Sequence, residues 1–378
     1  MAILTEEQSM LRDAARGWVQ EKAPVSALRK LRDSQSVVSF DPAAFAEVAQ
    51  MGWAGVVIPE AYGGSEFGYL SLGLVLEEMG KTLAASPLLA SALTSASAIV
   101  LGGTDTQKEA WLPKIASGAL IATLAVDEGP RHDPVVVALK ATQSDGGYTL
   151  SGSKTFVLEG MAAGLYVVCA RTSGEAGDEA GLTLFLVPAD AKGLTRERRH
   201  LADSRGYAGL TLTHVAVGAD AVLGAPDGGY PLLEKVLDRA RAGLAAEMLG
   251  SAVQAFETTL DYMKTRVQFG QTIGSFQALQ HRAAKMFTEL ELARSCVEAA
   301  LTAIDDDTAD VPQLVALAKA TAGDTLNLVS REMVQLHGGI GMTDAHDAGL
   351  YLKRARAVEA TFGSSAWHRD RWGRMNGY

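Results

Sequence analysis

The segments of this 378-residue chain that carry chemistry are few, and most fail the tests for familiar sites. Gly152-Ser153-Lys154-Thr155 ends like a phosphate-binding loop, but the Gly-Lys pair and the upstream glycine spacing are absent. GGIG at 338–341 follows a helical stretch, not a strand, and lacks the G-x-G-x-x-G order of a dinucleotide fold. The seven histidines show no HExxH or other metal-ligand spacing, and no nucleophile elbow supports Ser-His-Asp catalysis. What remains is TRVQFGQTIGSFQALQHRAAKM, from Thr265 to Met286. Before it, Leu237, Leu244, Met248, Phe256, Leu260, Met263 and Val267 fall at helical spacing, FGQTIGSF interrupts, and the helical pattern resumes at Gln277. A long helix that ends in Arg and Phe, turns through glycines and restarts at once is either a simple helix–helix turn or a site.

The elements that would position it change character along the chain. TEEQSMLRDAARGWVQEKA opens with Thr5 and two acidic residues, which suit the free N–H groups and the dipole of a helix start. PAAFAEVAQMGW and LSLGLVLEEMGKTL repeat the amphipathic spacing, with VVIPEAYGG between them as a Pro/Gly loop, and TQKEAWLPKIASGAL closes a helical block over 1–118. From about Leu120, LIATLAV, VVVALKAT, YTLSGSKTFVL, LYVVCAR, LTLFLVP and LTLTHVAV are short, β-branched and separated by turn signals such as Asp145-Gly146-Gly147. They predict a small β-barrel or sandwich over 119–225. Helical spacing returns over 226–378, with helices expected at 232–267, 276–304, 310–337 and 345–372, and DDDTAD (305–310) as a solvated connection. The fold class is α+β, multidomain.

Composition narrows the function. Hydrophobic residues make up 48% and charged residues 21%, as in globular proteins. No apolar run approaches the length of a membrane span, and the start has no basic region leading into an apolar core, so the expectation is a cytoplasmic protein with no membrane partner. Cys169 and Cys296 have no CxxC spacing and read as buried thiols. With 34 Lys and Arg against 44 Asp and Glu, the net charge of −10 argues against nucleic acid.

The interrupted helix and the later Gln335-Leu336-His337-Gly338-Gly339-Ile340-Gly341-Met342-Thr343 together resemble the C-terminal half of the acyl-CoA dehydrogenase family. LTEEQSMLRD, MGWAGVVIPEAYGG, LVLEEMGKTL and QKEAWLPKIASG extend the resemblance toward the N-terminus. It implies an N-terminal helical domain, a central β domain, a C-terminal four-helix bundle that mediates oligomerisation, and FAD as cofactor. In that family the helix end and its loop reach across an interface to the FAD of a neighbouring subunit. By motif matching, Arg266 would meet the pyrophosphate, Phe269 and Gln277 would stand beside it, and Gln335, Gly338 and Gly339 would line the other side. The chemistry agrees: a pyrophosphate suits a fixed guanidinium, and glycines let backbone N–H groups approach.

The implied reaction is α,β-dehydrogenation of an acyl-CoA thioester, with electrons passed to an electron-transferring flavoprotein. A carboxylate must remove the α-proton, and here the chain departs from the pattern. Where the family carries Tyr-Glu-Gly-Thr, this chain has Thr361-Phe362-Gly363-Ser364, and the family's second location, a Glu-Arg pair, is Ala240-Arg241. The next acid on the helix is Glu247, about two turns on from Ala240 and on roughly the same side. Its neighbours Gly243 and Ser251 are small enough to leave room for a ligand, and it is the candidate base, ahead of Glu359 and Asp238. Set against this, a lone helical glutamate commonly serves as a solvated or ion-paired side chain.

The β domain departs as well. Thr-Glu-Pro-Gly-Ala-Gly-Ser-Asp becomes Asp127-Glu128-Gly129-Pro130-Arg131-His132-Asp133, and the flavin-covering Trp-Ile-Thr becomes Phe156-Val157-Leu158. Phe156 can pack on a flavin ring, whereas Leu158 cannot donate a hydrogen bond to it. Gly363, where a larger side chain is usual, suggests a pocket widened for a bulky or polycyclic acyl group. The expected function is therefore an FAD-dependent acyl-CoA dehydrogenase or a subunit of one, as a homo-oligomer or heterotetramer in fatty acid or steroid side-chain β-oxidation. The alternative is a partner subunit without its own chemistry, which completes the FAD site of a catalytic homologue. A flavin-free relative that protects DNA suits the acidic charge badly.

Overall fold

The computed structural model describes residues 4–378. In chain order it contains α1 (Glu6–Lys22), α2 (Val25–Ser34), α3 (Pro42–Gln50), α4 (Tyr69–Lys81), α5 (Ala96–Gly102) and α6 (Asp105–Ala116). Next come β1 (Ala122–Ala125), β2 (Lys140–Ser144), β3 (Gly147–Leu158), β4 (Leu165–Arg171), β5 (Leu182–Pro188), β6 (Leu194–Arg199), β7 (Tyr207–Gly218) and β8 (Val222–Leu223). After them lie α7 (Tyr230–Thr265), β9 (Val267–Gln268), β10 (Gln271–Thr272), α8 (Gln277–Asp305), α9 (Val311–His337), α10 (Ala348–Ala360) and α11 (Ser365–Met375).

The expected helix start at Thr5 is a capping box: its hydroxyl accepts from the Gln8 N–H, and the Gln8 side chain accepts from the Thr5 N–H. Thr104 and Gln107 repeat the device on α6. Two expectations are corrected. The stretch 345–372 is not one helix: Thr361 to Ser364 separate α10 from α11, because Phe362 and Gly363 adopt left-handed backbone angles of +57° and +106° that no α-helix continues through. In VVVALKAT only Lys140 onward is strand, while LTRERR, which is not among the expected strands, forms β6. Among the described residues that strand pairs only with β7, at the edge of the sheet, and Arg196 and Arg199 are exposed, a place where charge is tolerated.

The chain packs into two units. One comprises Lys30–Gly68 and Ala85–Ala240. Its centre is an eight-stranded sheet in the order β6-β7-β3-β2-β4-β5-β8, with β1 added parallel to β4. The expected turn at Asp145 and Gly146 joins β2 to β3, pairing Ser144 with Gly147, and Gly146 takes φ +81°. Tyr166, Val168, Phe185, Val187, Leu210 and Val215 fill the core, and Cys169 is buried and reduced, as expected. β4 is buried along its whole length, which accounts for the continuous apolar run LYVVCA.

The other unit comprises the N-terminal segment to Arg29, Tyr69–Ala84 and Arg241–Tyr378. Here α4 lies directly against α7 through two glycines. A Cβ on Gly80 would stand 2.0 Å from the Glu247 carbonyl oxygen, and one on Gly250 would stand 1.8 Å from that of Glu77. The Ser251 hydroxyl donates across the same crossing to the Gly80 carbonyl at 2.8 Å. Asp305, at the expected α8–α9 connection, accepts from the N–H groups of Tyr69 and Leu70 and so caps α4. Cys296, expected to be buried, is only half-buried on α8.

The helix crossing has a measurable consequence. Gly80→Ala must push two backbones apart, and overpacking of this kind costs about 1–3 kcal/mol. Urea unfolding should report a loss in that range; a loss below about 0.5 kcal/mol would mean that the two helices have room to separate.

Candidate active site

Glu247 lies in the middle of α7, 4% exposed. Its Oε1 accepts from Nη1 of Arg354, on α10, at 3.0 Å, and Arg354 is 2% exposed. The two charges are buried together, the arrangement in which each offsets the desolvation of the other. Ser251, one turn on, is filled by its own role: its hydroxyl also reaches the Glu247 carbonyl at 3.1 Å. The carboxylate is therefore oriented by a guanidinium, and the small neighbour at that side serves the helix crossing.

At the other end of α7 the chain turns outward. Val267–Gln268 pairs antiparallel with Gln271–Thr272, and Phe269 and Gly270, between them, take φ of +53° and +77°. Two positive angles in a two-residue loop match the twist of a hairpin, but a phenylalanine pays for the first with strain. Phe269 is nonetheless 92% exposed, with an edge-on contact to Phe276 at 6.2 Å between ring centroids. Arg266 and Gln277 are exposed on either side. The Arg266 carbonyl accepts from the Ile273 N–H at 2.8 Å, which closes the base of the hairpin.

The second glycine segment lies alongside. His337, the last residue of α9, stacks on Tyr262 of α7 at 4.3 Å, and its Nδ1 donates to the Met333 carbonyl at 2.7 Å. Tyr262 is one turn before Arg266, so the stack brings Gln335, Gly338 and Gly339 to the end of α7 that carries the arm. Burial lowers the His337 pKa, with His346, at 4.2 Å between rings, acting in the same direction. Gln335, Gly338 and Gly339 are exposed, Gly338 takes φ +62°, and nothing lies within 4 Å of where either glycine's Cβ would stand. An exposed guanidinium, two exposed amide side chains and open glycine backbone fit the phosphates of a dinucleotide.

In the sheet unit, Phe156 sits in an irregularity of the β3–β7 ladder between Lys154 and Val157, with φ +51° and 40% exposure. It edges a cavity of about 470 Å³ that is also lined by Glu128, Lys154, Arg196 and Thr211. Leu158 is 4% exposed, and its carbonyl accepts from the Thr123 hydroxyl at 2.5 Å. The acids of 127–133 are engaged locally: Asp127 with His132 at 2.9 Å, and Glu128 with Lys154 at 2.6 Å and with the Ala138 and Leu139 N–H groups. Phe156 fits a flavin face; Leu158 offers no donor.

The α10–α11 turn holds what sequence reasoning missed. The Phe362 carbonyl accepts from Arg241 Nε at 3.3 Å and from His368 Nε2 at 3.1 Å. Lys319 Nζ, fully buried, donates to the carbonyls of Val358, Glu359 and Gly363. Burial pulls the Lys319 pKa down to about 7, opposed by Glu359 and assisted by Arg241. Burial first, then Arg241, Lys319 and Arg371, hold the His368 pKa far below the usual range, so its imidazole is neutral. Gly363 opens no pocket: a Cβ there would meet the Trp367 ring at 2.7 Å and His368 Nε2 at 3.0 Å. The available signal was Lys319 within VALAKATAG, a charge surrounded by small apolar residues on a core-facing helix.

The sequence matches the acyl-CoA dehydrogenase N-terminal domain over residues 5–119, the middle domain over 125–217 and the C-terminal domain over 227–375. The chain belongs to the acyl-CoA dehydrogenase family. A probable acyl-CoA dehydrogenase of Bacillus subtilis, YngJ, is 30% identical over 370 residues, 96% of each protein. The structure superposes on butyryl-CoA dehydrogenase from Megasphaera elsdenii with a TM-score of 0.92 at 27% identity, covering 100% of this chain and 99% of that one. It also superposes on the ChsE4–ChsE5 complex from Mycobacterium tuberculosis with a TM-score of 0.90 at 26% identity, covering 100% of both chains. The expected family and fold class are thereby established, and with them an oxidoreductase of the acyl-CoA dehydrogenase type, or a subunit of one; the family is in general FAD-dependent. Among the described residues no helix is long and apolar enough to cross a membrane, and no group of three His, Cys, Asp or Glu is placed to hold a metal ion.

The buried amine makes stability depend on pH. Between about 7 and the ordinary 10.5, the unfolded chain holds a proton at Lys319 that the folded chain releases, so stability rises with pH across that window. The slope has a limit of about 1.4 kcal/mol per pH unit. Urea unfolding from pH 7 to pH 10 should show this rise in the wild type and not in Lys319→Met; parallel profiles would contradict it.

Proposed function

We propose that this chain is a catalytic subunit that dehydrogenates an acyl-CoA thioester at its α,β positions, with Glu247 as the base and with its arm serving the FAD of a neighbouring subunit. The observation that supports this best is what α7 carries: a buried carboxylate oriented by Arg354 in mid-helix, and an exposed guanidinium at its end. Glu247 would take the α-proton, and Arg354 would keep the carboxylate aimed. Arg266, Phe269 and Gln277, with Gln335, Gly338 and Gly339, would hold the dinucleotide of the neighbour, while Phe156 would pack on a flavin ring and Leu158 would border it without donating. Bound FAD supplies the acceptor for the β-hydride, and an electron-transferring flavoprotein would take the electrons onward. Three domains over 1–118, 119–225 and 226–378, in a homo-oligomer or heterotetramer in the cytoplasm, complete the reading.

A second reading has one specific observation behind it. Leu158 presents no hydrogen-bond donor where the family's hydroxyl would stand, which favours a partner subunit that completes the flavin site of a catalytic homologue. The ion pair of Glu247 would then be structural.

Two variants separate these readings. Arg266→Ala should lose FAD while helical content stays near wild type; full flavin occupancy at unchanged affinity would contradict the cross-subunit arm. Glu247→Gln, close in volume, should lower turnover of an artificial acceptor by about 10²- to 10⁴-fold across a panel of acyl-CoA thioesters. Turnover that survives within a few-fold would reject Glu247. Turnover and bound FAD that appear only once a homologous subunit is added would favour the partner reading.

A further inference from the structure

The last turn of α4 is where two other helices of the same unit dock. A helix leaves its final carbonyls without partners of its own, and here two adjacent ones are taken from outside. The Gly80 carbonyl accepts from the Ser251 hydroxyl on α7 at 2.8 Å, and the Lys81 carbonyl accepts from the Tyr351 hydroxyl on α10 at 2.5 Å. α7 and α10 in turn meet at Glu247 and Arg354. Ser251 lies one turn beyond Glu247 and Tyr351 one turn before Arg354, so three helices close a triangle through three polar contacts.

Each side of that triangle is stiff. Between α4 and α7 the backbones touch, with no room for a side chain at Gly80 or Gly250. The α4 turn is also held from α1: Glu78, 1% exposed, accepts from Arg16 at 3.2 Å and from the Lys81 ammonium at 2.9 Å. Tyr351 is 2% exposed. Burial, with Asp347 acting in the same direction and Arg354 against it, raises its pKa, so the hydroxyl keeps the proton it donates. Tyr351 and Arg354, three residues apart, lie on one face of α10. A slip of one residue along α10 would carry Arg354 about 1.5 Å, which its 3.0 Å bond to Glu247 would not survive. The Lys81 carbonyl opposes that slip.

We propose that Tyr351 is a positioning residue for the base: anchored on the Lys81 carbonyl, it sets the register of α10 so that Arg354 aims the Glu247 carboxylate. Ser251 does the same from α7. This rests on the reading of Glu247 as the base. α4, which carries neither Glu247 nor Arg354, is then the block against which the pair is aligned, and a base displaced by about 1 Å loses about 100-fold in rate.

The test follows exchange of the α-hydrogens of saturating butyryl-CoA with D₂O in the assembled protein, with butyryl-CoA affinity and FAD content measured separately. Tyr351→Phe removes one oxygen atom and leaves the ring. It should slow exchange by about 10- to 100-fold, hold affinity and FAD content within about twofold of wild type, and change exchange less than about twofold when placed on Glu247→Gln. Ser251→Ala should show the same pattern, and it carries the test if Tyr351→Phe does not assemble. Exchange within about twofold of wild type, or slowing as large in the Glu247→Gln background, would overturn the positioning role and leave Glu247 as the base. Loss of affinity or FAD with unchanged exchange per occupied site would mark the contact as structural alone and overturn it too. A wild type that does not exchange, or a Glu247→Gln variant that exchanges as fast, would remove the base reading and this inference with it.

Discussion

A carboxylate and a guanidinium buried side by side form the interaction on which the helical unit turns. Burying the Arg354 guanidinium without a counter-charge would be costly, and Glu247 supplies one. The pair ties α7 to α10, and α10 leads into the turn that Arg241, Lys319 and His368 hold. Removing one partner of a buried ion pair typically costs about 3–5 kcal/mol. The same contact that stabilises the unit also fixes the direction of the carboxylate proposed as the base, so structure and chemistry place the same demand on one residue.

The two ends of the site follow opposite rules. Inside, positive charges are matched: Arg354 by a carboxylate, Lys319 by three carbonyls, Arg241 by a carbonyl and an indole face. At the end of α7, Arg266 stands in solvent beside Phe269, an aromatic ring exposed at 92% on a strained hairpin tip. Water solvates that guanidinium cheaply, but it does nothing for the ring, and a large exposed aromatic is the mark of a surface that meets something else. The ion-paired interior and the unmatched arm are joined by one helix of 36 residues.

Much of this was legible in the sequence, for physical reasons that differ by element. The break after α7 showed because glycines interrupt a 3.6-residue period, and the start of α1 showed because Thr5 and Gln8 form a reciprocal cap. The interruption at 361–364 was missed although Gly363 is a helix terminator, and the donors that hold the turn, from α7, α9 and α11, follow no local rule. β6 stayed hidden because LTRERR alternates nothing; its pairing with β7, not its own pattern, makes it a strand. Glu247 was singled out by its distance along a helix, yet its partner was invisible: no local rule connects residues 247 and 354. Gly363 misled because a missing side chain reads as space, whereas here Trp367 occupies it.

The central claim is that Glu247, held by Arg354, takes the α-proton of an acyl-CoA thioester. It is tested most directly by following exchange of the α-hydrogens of a bound acyl-CoA with D₂O by proton NMR, in the assembled protein and in its Glu247→Gln variant. The account predicts exchange in the wild type that falls by about 100-fold or more in the variant. Exchange at equal rates in both would contradict it.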